Sequence, residues 1–590
     1  MGNTSIYENK AVQYELSANG KDLTKQYTVV SARIYKACNT IGKATITIET
    51  DRTEDPALEK SDNASFNPGN DIILKVGRDT KMTVLFEGMI ITHRLRIGGN
   101  QSDRLILECR DNAFPATLGR KNNLFEKAKD GDVIKKTLGQ YGLSATVDST
   151  TAEYPQLVQY YCTDWDFVLS RAQHNGLVII TEGKKVKVAK PDVSASPVLV
   201  LTPSSELIEF DGSLSASDQY AKTEAYAWEV STQKVVKASA AKPELNEQGD
   251  IAPNKLSGGD LMLYQTNASV GENDLKNWAD AQALWSGLAR FQGTVKFYGN
   301  ESVLPGTIIE LKDISAHYNG KAYIQAVEQT LDRTEWITCA HMGFNPTLIT
   351  EQPDVMAPAA GGVLPGISGI QIGKIKKIAK DKDSEQFVQV EMPLLNSDKK
   401  EVWARPASFY AGNETGCLFL PEVNDEVVLG FINNDPCHPV ILGSLYSRKQ
   451  KPPVPIDEKN LIKTIVTKNK LKITLDDEKK IITVETPGNN KFVLDDDAKQ
   501  ILLSDGNRNK VCMDKNGITL ESGKDFTIKA QGNIKLDGMG IESQSKQDTK
   551  INGLNVEVSA KVGAKVKGSA TAEISASGQT VVKGGIVMIN

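Results

Sequence analysis

The stretch VEVSAKVGAKVKGSATAEISASGQTVVKGG, residues 556–585, decides the fold of the last quarter of this chain. Four of its apolar residues, Val558, Val566, Ile574 and Val582, recur at intervals of eight. Lys, Ser, Ala, Thr and Gly fill most of the positions between them. Each eight-residue unit buries one or two apolar side chains, which cannot offset a backbone ordering cost of roughly 1–2 kcal/mol per residue. The segment therefore needs a packing partner outside itself.

Pairs of apolar residues separated by one residue extend this pattern upstream. Alternate side chains of a strand point to the same side, so each pair indicates a very short strand. The early pairs are seven to ten residues apart, with charged turns such as DDEKK and DDDAK, and from Ile518 the spacing tightens to eight. The pairs are Ile473/Leu475, Ile482/Val484, Phe492/Leu494, Ile501/Leu503, Val511/Met513, Ile518/Leu520, Phe526/Ile528 and Ile534/Leu536.

Three identical chains around one axis would close the open strand edges and bury the apolar residues together. Each chain would supply one strand per layer. The sequence therefore predicts a homotrimeric β-helical needle over residues 461–590, with a core that includes Val558, Val566, Ile574 and Val582. The alternative is a disordered low-complexity tail, which does not explain an apolar period kept for more than about 100 residues.

The sequence patterns of residues 1–460 predict a mainly β structure, and two linkers divide this part of the chain. Residues 1–345 alternate strand patterns with three helix patterns, at 131–142, 163–176 and 275–291. Residues 346–369 and 448–460 are rich in Pro, Gly or Ala, which indicates linkers. Between them, at 370–447, six short strand patterns predict a small barrel: IQIGKIKKI, EQFVQVEMP, EVWARPAS, GCLFLP, DEVVLGFI and PVILGSLY.

The helix at 163–176 has recognisable ends. Thr163 followed by Asp166 resembles a capping box, and Gly176 can end the helix in the left-handed conformation. His174 lies in the last turn, where a polar or cationic side chain is favourable, and we interpret it as structural rather than catalytic.

Composition excludes several functional classes. The 590 residues include 69 basic and 74 acidic side chains, so the net charge of −5 favours neither nucleic acid nor an anionic membrane as a partner. The seven cysteines are odd in number and contain no CxxC pair, which argues against a disulfide framework or a zinc site. The N-terminal residues have no apolar leader, so we expect no signal peptide. No apolar run is long enough to span a membrane.

Several segments resemble the VgrG spike proteins of type VI secretion systems and the hub and needle proteins of contractile phage tails. In the hub these are VLFEGMI (84–90), DWDFVLSRAQHNGLVI (164–179) and SVLPGTIIELKDISAHYNGKAYIQAVEQTL (302–331). In the barrel, GCLFLPEVNDEVVLGFINNDPCHPVILGSLY (416–446) is similar to the spike signature, and the resemblance implies an oligosaccharide/oligonucleotide-binding (OB) fold there. Asn424 and Asn434 replace glycines of that signature, and Asn tolerates positive φ, so both turns can form.

The resemblance implies a homotrimeric spike that joins an inner tube to a tip cap and punctures a target membrane while carrying effectors. Its implied partners are copies of itself, an Hcp-like tube protein, baseplate proteins, effectors and a cap with Pro-Ala-Ala-Arg (PAAR) repeats. We expect the cap to bind near Val587, Met588, Ile589 and Asn590. The spike would be assembled in the bacterial cytoplasm and delivered outside the cell. Whether it serves a type VI system, an extracellular phage-tail-like particle or a phage stays open.

The sequence indicates no catalytic, cofactor or metal site. Only about 25 residues separate the barrel from the first apolar pairs, too few for a lysozyme domain. We also expect no toxin domain after GGIVMIN. Cys437-His438 lies between two prolines, and we interpret it as a structural turn. The rival hypothesis is a cell-wall hydrolase displayed on a β-solenoid, which would need paired carboxylates in a cleft.

Overall fold

A computed structural model describes residues 12–50, 62–78, 81–98, 103–256, 258–379, 388–395, 398 and 400–589. The chain forms two compact units, Met1–Leu445 and Tyr446–Asn590. It is mainly β, as predicted, with three α-helices among the described residues. The first unit contains the hub region, which ends at about residue 344, and the barrel.

The first half of the hub contains twelve strands and two helices. Strand patterns in this part of the sequence correspond to strands of the structure, for example the alternating segment KATITIE in β4. The elements are β1 (Val12–Ala18), β2 (Lys21–Asp22), β3 (Val29–Ala37), β4 (Thr40–Glu49), β5 (Asp71–Arg78), β6 (Lys81–Arg96), β7 (Arg104–Asp111), β8 (Lys121–Lys129), α1 (Asp130–Gly139), β9 (Ser144–Val147), β10 (Glu153–Cys162), α2 (Asp164–His174), β11 (Val178–Glu182) and β12 (Lys185–Ala189).

The second half of the hub adds nine strands and the third predicted helix. Four of these strands, between residues 207 and 266, were not predicted, because their exposed faces carry apolar and polar residues without strict alternation. The elements are β13 (Leu199–Leu201), β14 (Leu207–Leu214), β15 (Tyr220–Glu229), β16 (Lys234–Ser239), β17 (Gly259–Thr266), α3 (Glu272–Leu288), β18 (Phe291–Tyr298), β19 (Ile308–Leu311), β20 (Gly320–Asp332) and β21 (Trp336–Met342).

One large sheet organises the hub. Its strand order is β14-β18-β21-β20-β3-β4-β7-β6-β5-β1-β2, with β19 paired to β20 and β13 paired to β19. Strand β20 therefore pairs with β3, which joins the two halves of the hub through backbone hydrogen bonds. Fully buried residues such as Ile46, Ile72, Leu107 and Phe297 form apolar clusters on the sheet. Smaller sheets are β10-β8, β11-β12-β9 and β16-β15-β17.

Helix α2 has the ends that the sequence predicts. The Thr163 side chain accepts a 3.0 Å hydrogen bond from the Asp166 amide. At the other end Gly176 has φ of +68°, and its amide donates to the Gln173 carbonyl while the Leu177 amide donates to the Ala172 carbonyl. These two bonds are those of a Schellman motif. The helix is thus fixed at both ends by residues of its own sequence.

The barrel is a closed five-stranded sheet in the order β22-β23-β24-β28-β27. The prediction of a strand in GCLFLP was wrong: only Gly416, the last residue of a two-residue strand, is in a strand there, and Leu418 and Phe419 are exposed. The strands are β22 (Gln371–Ile378), β23 (Val388–Glu391), β24 (Glu401–Pro406), β25 (Ala411–Gly412), β26 (Thr415–Gly416), β27 (Glu426–Phe431) and β28 (Pro439–Ser444).

The segment predicted as a linker, 346–369, is held against its neighbours in the first unit. The Arg120 guanidinium donates to the backbone carbonyls of Asp354, Val355 and Met356, at 2.5, 3.3 and 2.9 Å. At the other end the Ile367 amide donates to the carbonyl of Asn434 in the barrel. Because these bonds engage backbone groups, the linker composition alone did not reveal them.

Seven further strands lie in the second unit. They are five residues each and pair antiparallel in chain order, so they form one meandering sheet. The strands are β29 (Ile462–Val466), β30 (Lys472–Asp476), β31 (Ile481–Glu485), β32 (Lys491–Asp495), β33 (Gln500–Ser504), β34 (Lys510–Asp514) and β35 (Gly517–Glu521). The sequence predicted one strand per layer from each chain, whereas here the turns of this region are long enough to pair neighbouring strands within one chain.

A polar network joins the hub helices. We expected His174 to stabilise the end of α2, but its side chain belongs to this network instead. The His174 ring lies 2.6 Å from Asp274 of α3, and Tyr154 also donates to Asp274. Arg171 donates two hydrogen bonds to Asp130, whose side chain is fully buried. Burial alone would lower the pKa of Arg171, but the hydrogen bonds to Asp130 and the negative charge of Asp130 raise this pKa. The network ties α1, α2 and α3 together.

We predict that Arg171→Leu strongly destabilises the hub. The substitution leaves the carboxylate of Asp130 buried without its cation, which costs about 3–5 kcal/mol. Lys276→Leu is the control, because it breaks the partly exposed pair between Lys276 and Asp280 and should cost less than about 1 kcal/mol. Thermal unfolding of both variants measures the difference. Equal melting temperatures would show that the buried pair contributes nothing.

Candidate functional site

The apolar pairs of the second unit lie side by side on one face of its sheet. Ile473 is opposite Val484, and Val484 is opposite Phe492. The same register continues from Phe492 to Leu503 and from Leu503 to Val511. Side chains two residues apart on a strand share a face, so six consecutive pairs form a continuous apolar surface.

This apolar face is uncovered in a single chain. Ile482, Val484 and Phe492 are each about two-fifths exposed, and Ile518 is 69% exposed. The first strands carry Thr464, Thr474 and Thr483 on the opposite face. A soluble chain does not normally leave a contiguous apolar surface in water. The geometry indicates that another protein surface covers this face.

Five of the six turns between these strands have a non-glycine residue at positive φ. These residues are Lys470 (φ +62°), Lys480 (+53°), Asn489 (+63°), Lys499 (+51°) and Arg508 (+70°). Acidic side chains fix several of the turns: the Asp505 carboxylate accepts from the amides of Asn507 and Asn509, and these bonds lower its pKa. The left-handed conformation favours Gly or Asn, so the lysines and the arginine are held there by the pairing of the flanking strands.

After Glu521 the chain changes its mode of folding. None of the described residues 522–589 belongs to a strand ladder. The backbone instead bends sharply at intervals of seven or eight residues. The bends include Lys524, Gly532, Met539, Gln547, Leu554, Val562, Ala570, Gly578 and Ile586.

Each of these bends marks the start of one repeat. An extended segment places the residues two and four positions after the bend on one side and the residue between them on the other. We call these the inward pair and the outward position. The inward pairs are Phe526/Ile528, Ile534/Leu536, Ile541/Ser543, Thr549/Ile551, Val556/Val558, Ala564/Val566, Ala572/Ile574, Thr580/Val582 and Met588/Asn590, of which Asn590 lies outside the described residues.

The predicted needle-core residues each occupy the second place of an inward pair. Val558 is 82% exposed in one chain, Val566 86%, Ile574 81% and Val582 69%. The predicted cap-binding residues Val587, Met588 and Ile589 are also exposed. Within the described residues, these repeats have neither a strand partner nor apolar cover in their own chain.

The signature turns of the barrel form as predicted. Asn424 has φ of +76° and Asn434 of +57°, so both asparagines adopt the conformation that glycine has in the related signature. Cys437 and His438 lie in a turn organised by Asp435, which accepts from the Cys437 amide at 2.8 Å and lies 3.0 Å from the His438 ring. That amide bond lowers the pKa of Asp435.

The described residues contain neither a membrane-spanning helix nor a cluster of metal ligands. No helix within the described ranges is long and apolar enough to cross a lipid bilayer. In the same part of the chain, His, Cys, Asp and Glu side chains do not gather in groups of three or more that could hold a metal ion.

Family models match both the C-terminal repeat region and the barrel. Residues 480–590 match the phage baseplate V C-terminal trimerisation domain, and residues 371–446 match the type VI secretion system/phage-baseplate injector OB domain. Residues 8–333, more than half of the chain, match the Alg8 N-terminal domain. The chain belongs to the VgrG-type spike proteins. This is a family of structural spike and hub proteins, some of which carry effector domains.

Individual relatives of this VgrG-type spike are distant. The type VI secretion system spike protein VgrG3 of Vibrio cholerae is 37% identical over 51 residues, 9% of this chain and 5% of that protein. A 43 kDa prophage tail protein of Shewanella oneidensis is 10% identical, with a TM-score of 0.44 over 57% of this chain and 99% of that one. One chain of a Francisella PdpA–VgrG complex is 11% identical, with a TM-score of 0.41 over 88% of this chain and 89% of that chain.

A substitution in one of these turns tests whether the residues at positive φ are strained. We predict that Lys499→Gly stabilises the second unit by about 1 kcal/mol per chain, because glycine adopts positive φ without the steric cost. Ala498→Gly in the same turn is the control, since Ala498 is not at positive φ and the change should cost roughly 0.5–1 kcal/mol in chain entropy. Melting temperatures of the two variants should shift in opposite directions. A decrease for both would contradict the strain assignment.

Proposed function

We propose that this VgrG-type chain is the homotrimeric tip spike of a contractile injection machine. One observation carries the proposal: an in-register apolar sheet face is followed by repeats that have neither strand partners nor apolar cover in their own chain. The match of this region to a trimerisation domain supports three as the number of chains.

The energetics favour association. Full burial of a Val, Leu or Ile side chain stabilises by about 1.5–3 kcal/mol, so a side chain that is two-fifths exposed still gains roughly 1 kcal/mol when it is covered. At least ten such side chains line the apolar face of each chain, including Ile473, Val484 and Leu503. Their sum over three chains is about 30 kcal/mol, compared with roughly 4–15 kcal/mol of translational and rotational freedom lost in each of the two association steps.

In the proposed spike the three hubs sit on the end of an Hcp-like tube, and baseplate proteins surround them. The barrels form a neck below the hubs. The β-helix transmits the axial force of sheath contraction, punctures the target membrane and carries effectors with it. Assembly takes place in the bacterial cytoplasm, and contraction delivers the spike outside the cell. The same trimer suits a type VI system and an extracellular phage-tail-like particle.

The proposed cap site is the apolar surface around Val587, Met588 and Ile589. All three side chains are exposed. The outward position also becomes apolar in the last two repeats, where Val581 and Ile589 occupy it. Three copies would place these residues in one small apolar surface, which suits docking of a PAAR-repeat cap.

The trimer is tested by solution mass. Light scattering on the purified full-length protein should give three times the chain mass of 64.2 kDa. Val484→Lys should lower this mass to that of one chain, because it introduces a charge into the apolar face. Thr483→Lys is the matched control on the opposite face of the same strand, and it should leave the trimer intact.

Two results would contradict the proposal. A wild-type mass of one chain would remove its physical basis. Hydrolysis of purified peptidoglycan by the wild-type protein would favour the rival cell-wall hydrolase, whereas a spike should leave peptidoglycan intact.

Cap binding is tested with a purified PAAR-repeat protein from the same genome. We predict that wild-type trimer binds one cap, detected as an increase in mass on size-exclusion chromatography with light scattering. Met588→Asp combined with Ile589→Asp should abolish the complex, because six charges would enter the apolar contact of the trimer. Gln579→Asp, an exposed change within the preceding repeat, is the control. Unchanged binding by the double variant would place the cap elsewhere.

A further inference from the structure

Charged residues already pair across neighbouring strands within one chain. In the antiparallel sheet Lys472 is opposite Glu485, and Glu485 is opposite Lys491. The ammonium groups of these lysines lie 3.2 and 3.8 Å from the Glu485 carboxylate. Lys510 and Glu521 form a similar pair at 2.9 Å, and their hydrogen bond raises the pKa of Lys510. Opposite charges on adjacent strands are therefore a feature of this unit.

The outward positions of the bent repeats continue this alternation. When the bends are used to number the repeats, the sign changes at every step for six consecutive repeats. The outward residues are Thr527, Lys535, Glu542, Lys550, Glu557, Lys565, Glu573, Val581 and Ile589. Counting in eights from Val558 does not reveal this order, because two intervals between bends are seven residues long.

The neighbours of these residues must come from other copies of the chain. Since residues 522–589 form no ladder with their own chain, the edge partner of each repeat belongs to another copy. In a three-fold assembly whose chains advance by one face at each bend, repeat n of one copy is flanked by repeats n−1 and n+1 of the other two. Parallel stacking then aligns equivalent positions of adjacent repeats.

We propose that the outward residues form a ladder of alternating charges between chains, which fixes the register of the trimer. Lys565 of one copy lies between Glu557 of a second copy and Glu573 of the third. The same arrangement links Lys535, Glu542 and Lys550 further up the chain. This inference rests on the proposed homotrimer and adds the contacts that align its chains.

The alternating charges distinguish one register of the trimer from another, whereas the inward pairs do not. Inward pairs such as Val556/Val558, Ala564/Val566 and Ala572/Ile574 are similar in size, so a shift by one repeat costs little in packing. If equal repeats, or repeats two steps apart, were adjacent, Lys would face Lys and Glu would face Glu. Like charges directly opposite on adjacent strands are destabilising. Of the staggers of zero, one and two repeats, only the one-repeat stagger places residues of opposite sign next to each other.

The test reverses one charge in the full-length protein. Lys565→Glu places three carboxylates per trimer between pairs of carboxylates and should lower the melting temperature by about 5 °C or more. Lys567→Glu makes the same change of net charge two residues away, where the equivalent neighbours are Ser559 and Ser575. It should leave the melting temperature nearly unchanged. Lys565→Gln gives a milder version of the first change if Lys565→Glu does not fold.

A second charge reversal tests the pairing directly. Adding Glu573→Lys to Lys565→Glu restores one of the two opposite-charge contacts, so the double variant should melt above Lys565→Glu and show non-additivity in a double-mutant cycle. The difference between Lys565→Glu and Lys567→Glu should shrink in about 1 M NaCl, where exposed charges are screened.

The outcomes separate the two proposals. A wild-type mass of one chain would overturn the trimer and the ladder together. A wild-type trimer in which Lys565→Glu and Lys567→Glu melt at the same temperature would overturn the ladder alone. Additive effects of Lys565→Glu and Glu573→Lys would also overturn it.

Discussion

Unpaired strand edges are the constraint on which the structure of the second unit depends. A backbone amide or carbonyl that is removed from water needs a hydrogen-bond partner. The chain meets this requirement internally as far as Glu521 and stops doing so afterwards. Everything proposed for this protein follows from that change, because the repeats after Glu521 acquire partners only when copies of the chain come together.

The same apolar pattern supports two modes of pairing, and the turns decide between them. In the region up to Glu521, successive strands begin seven to ten residues apart, and turns between them, such as the one fixed by Asp505, let the chain reverse and pair with itself. In the repeats that follow, only a bend such as that at Ala570 separates one inward pair from the next. A bend redirects the chain without reversing it, so the next repeat cannot return to pair with the previous one.

Sequence analysis predicted the features that depend on local pattern. Alternation identified strands such as β4 and β7, and capping residues identified α2. The closed barrel and the positive φ of Asn424 were also predicted. Features that depend on distant contacts were missed. The linker bonds of Arg120 involve backbone carbonyls of any sequence, and the cluster of Arg171, Asp130 and Asp274 joins three helices that are far apart in the chain. The charge ladder was hidden by two one-residue changes of period, which only the backbone bends reveal.

The composition of the repeats explains why charge has a structural role in them. The inward pairs shrink from Phe526/Ile528 and Ile534/Leu536 to Ala564/Val566 and Ala572/Ile574. Smaller side chains suit a narrow three-chain core, but they bury less apolar surface per repeat and distinguish one register from another less well. Between Lys535 and Glu573, where the pairs become smaller or include Ser543 and Thr549, the outward charges alternate without a break. Alternation ends at Val581, where the proposed cap surface begins and an apolar contact replaces the ladder. In the proposed trimer, register and rigidity in this part of the chain would therefore rest on hydrogen bonds and opposite charges between chains, with the thin apolar core in a supporting role.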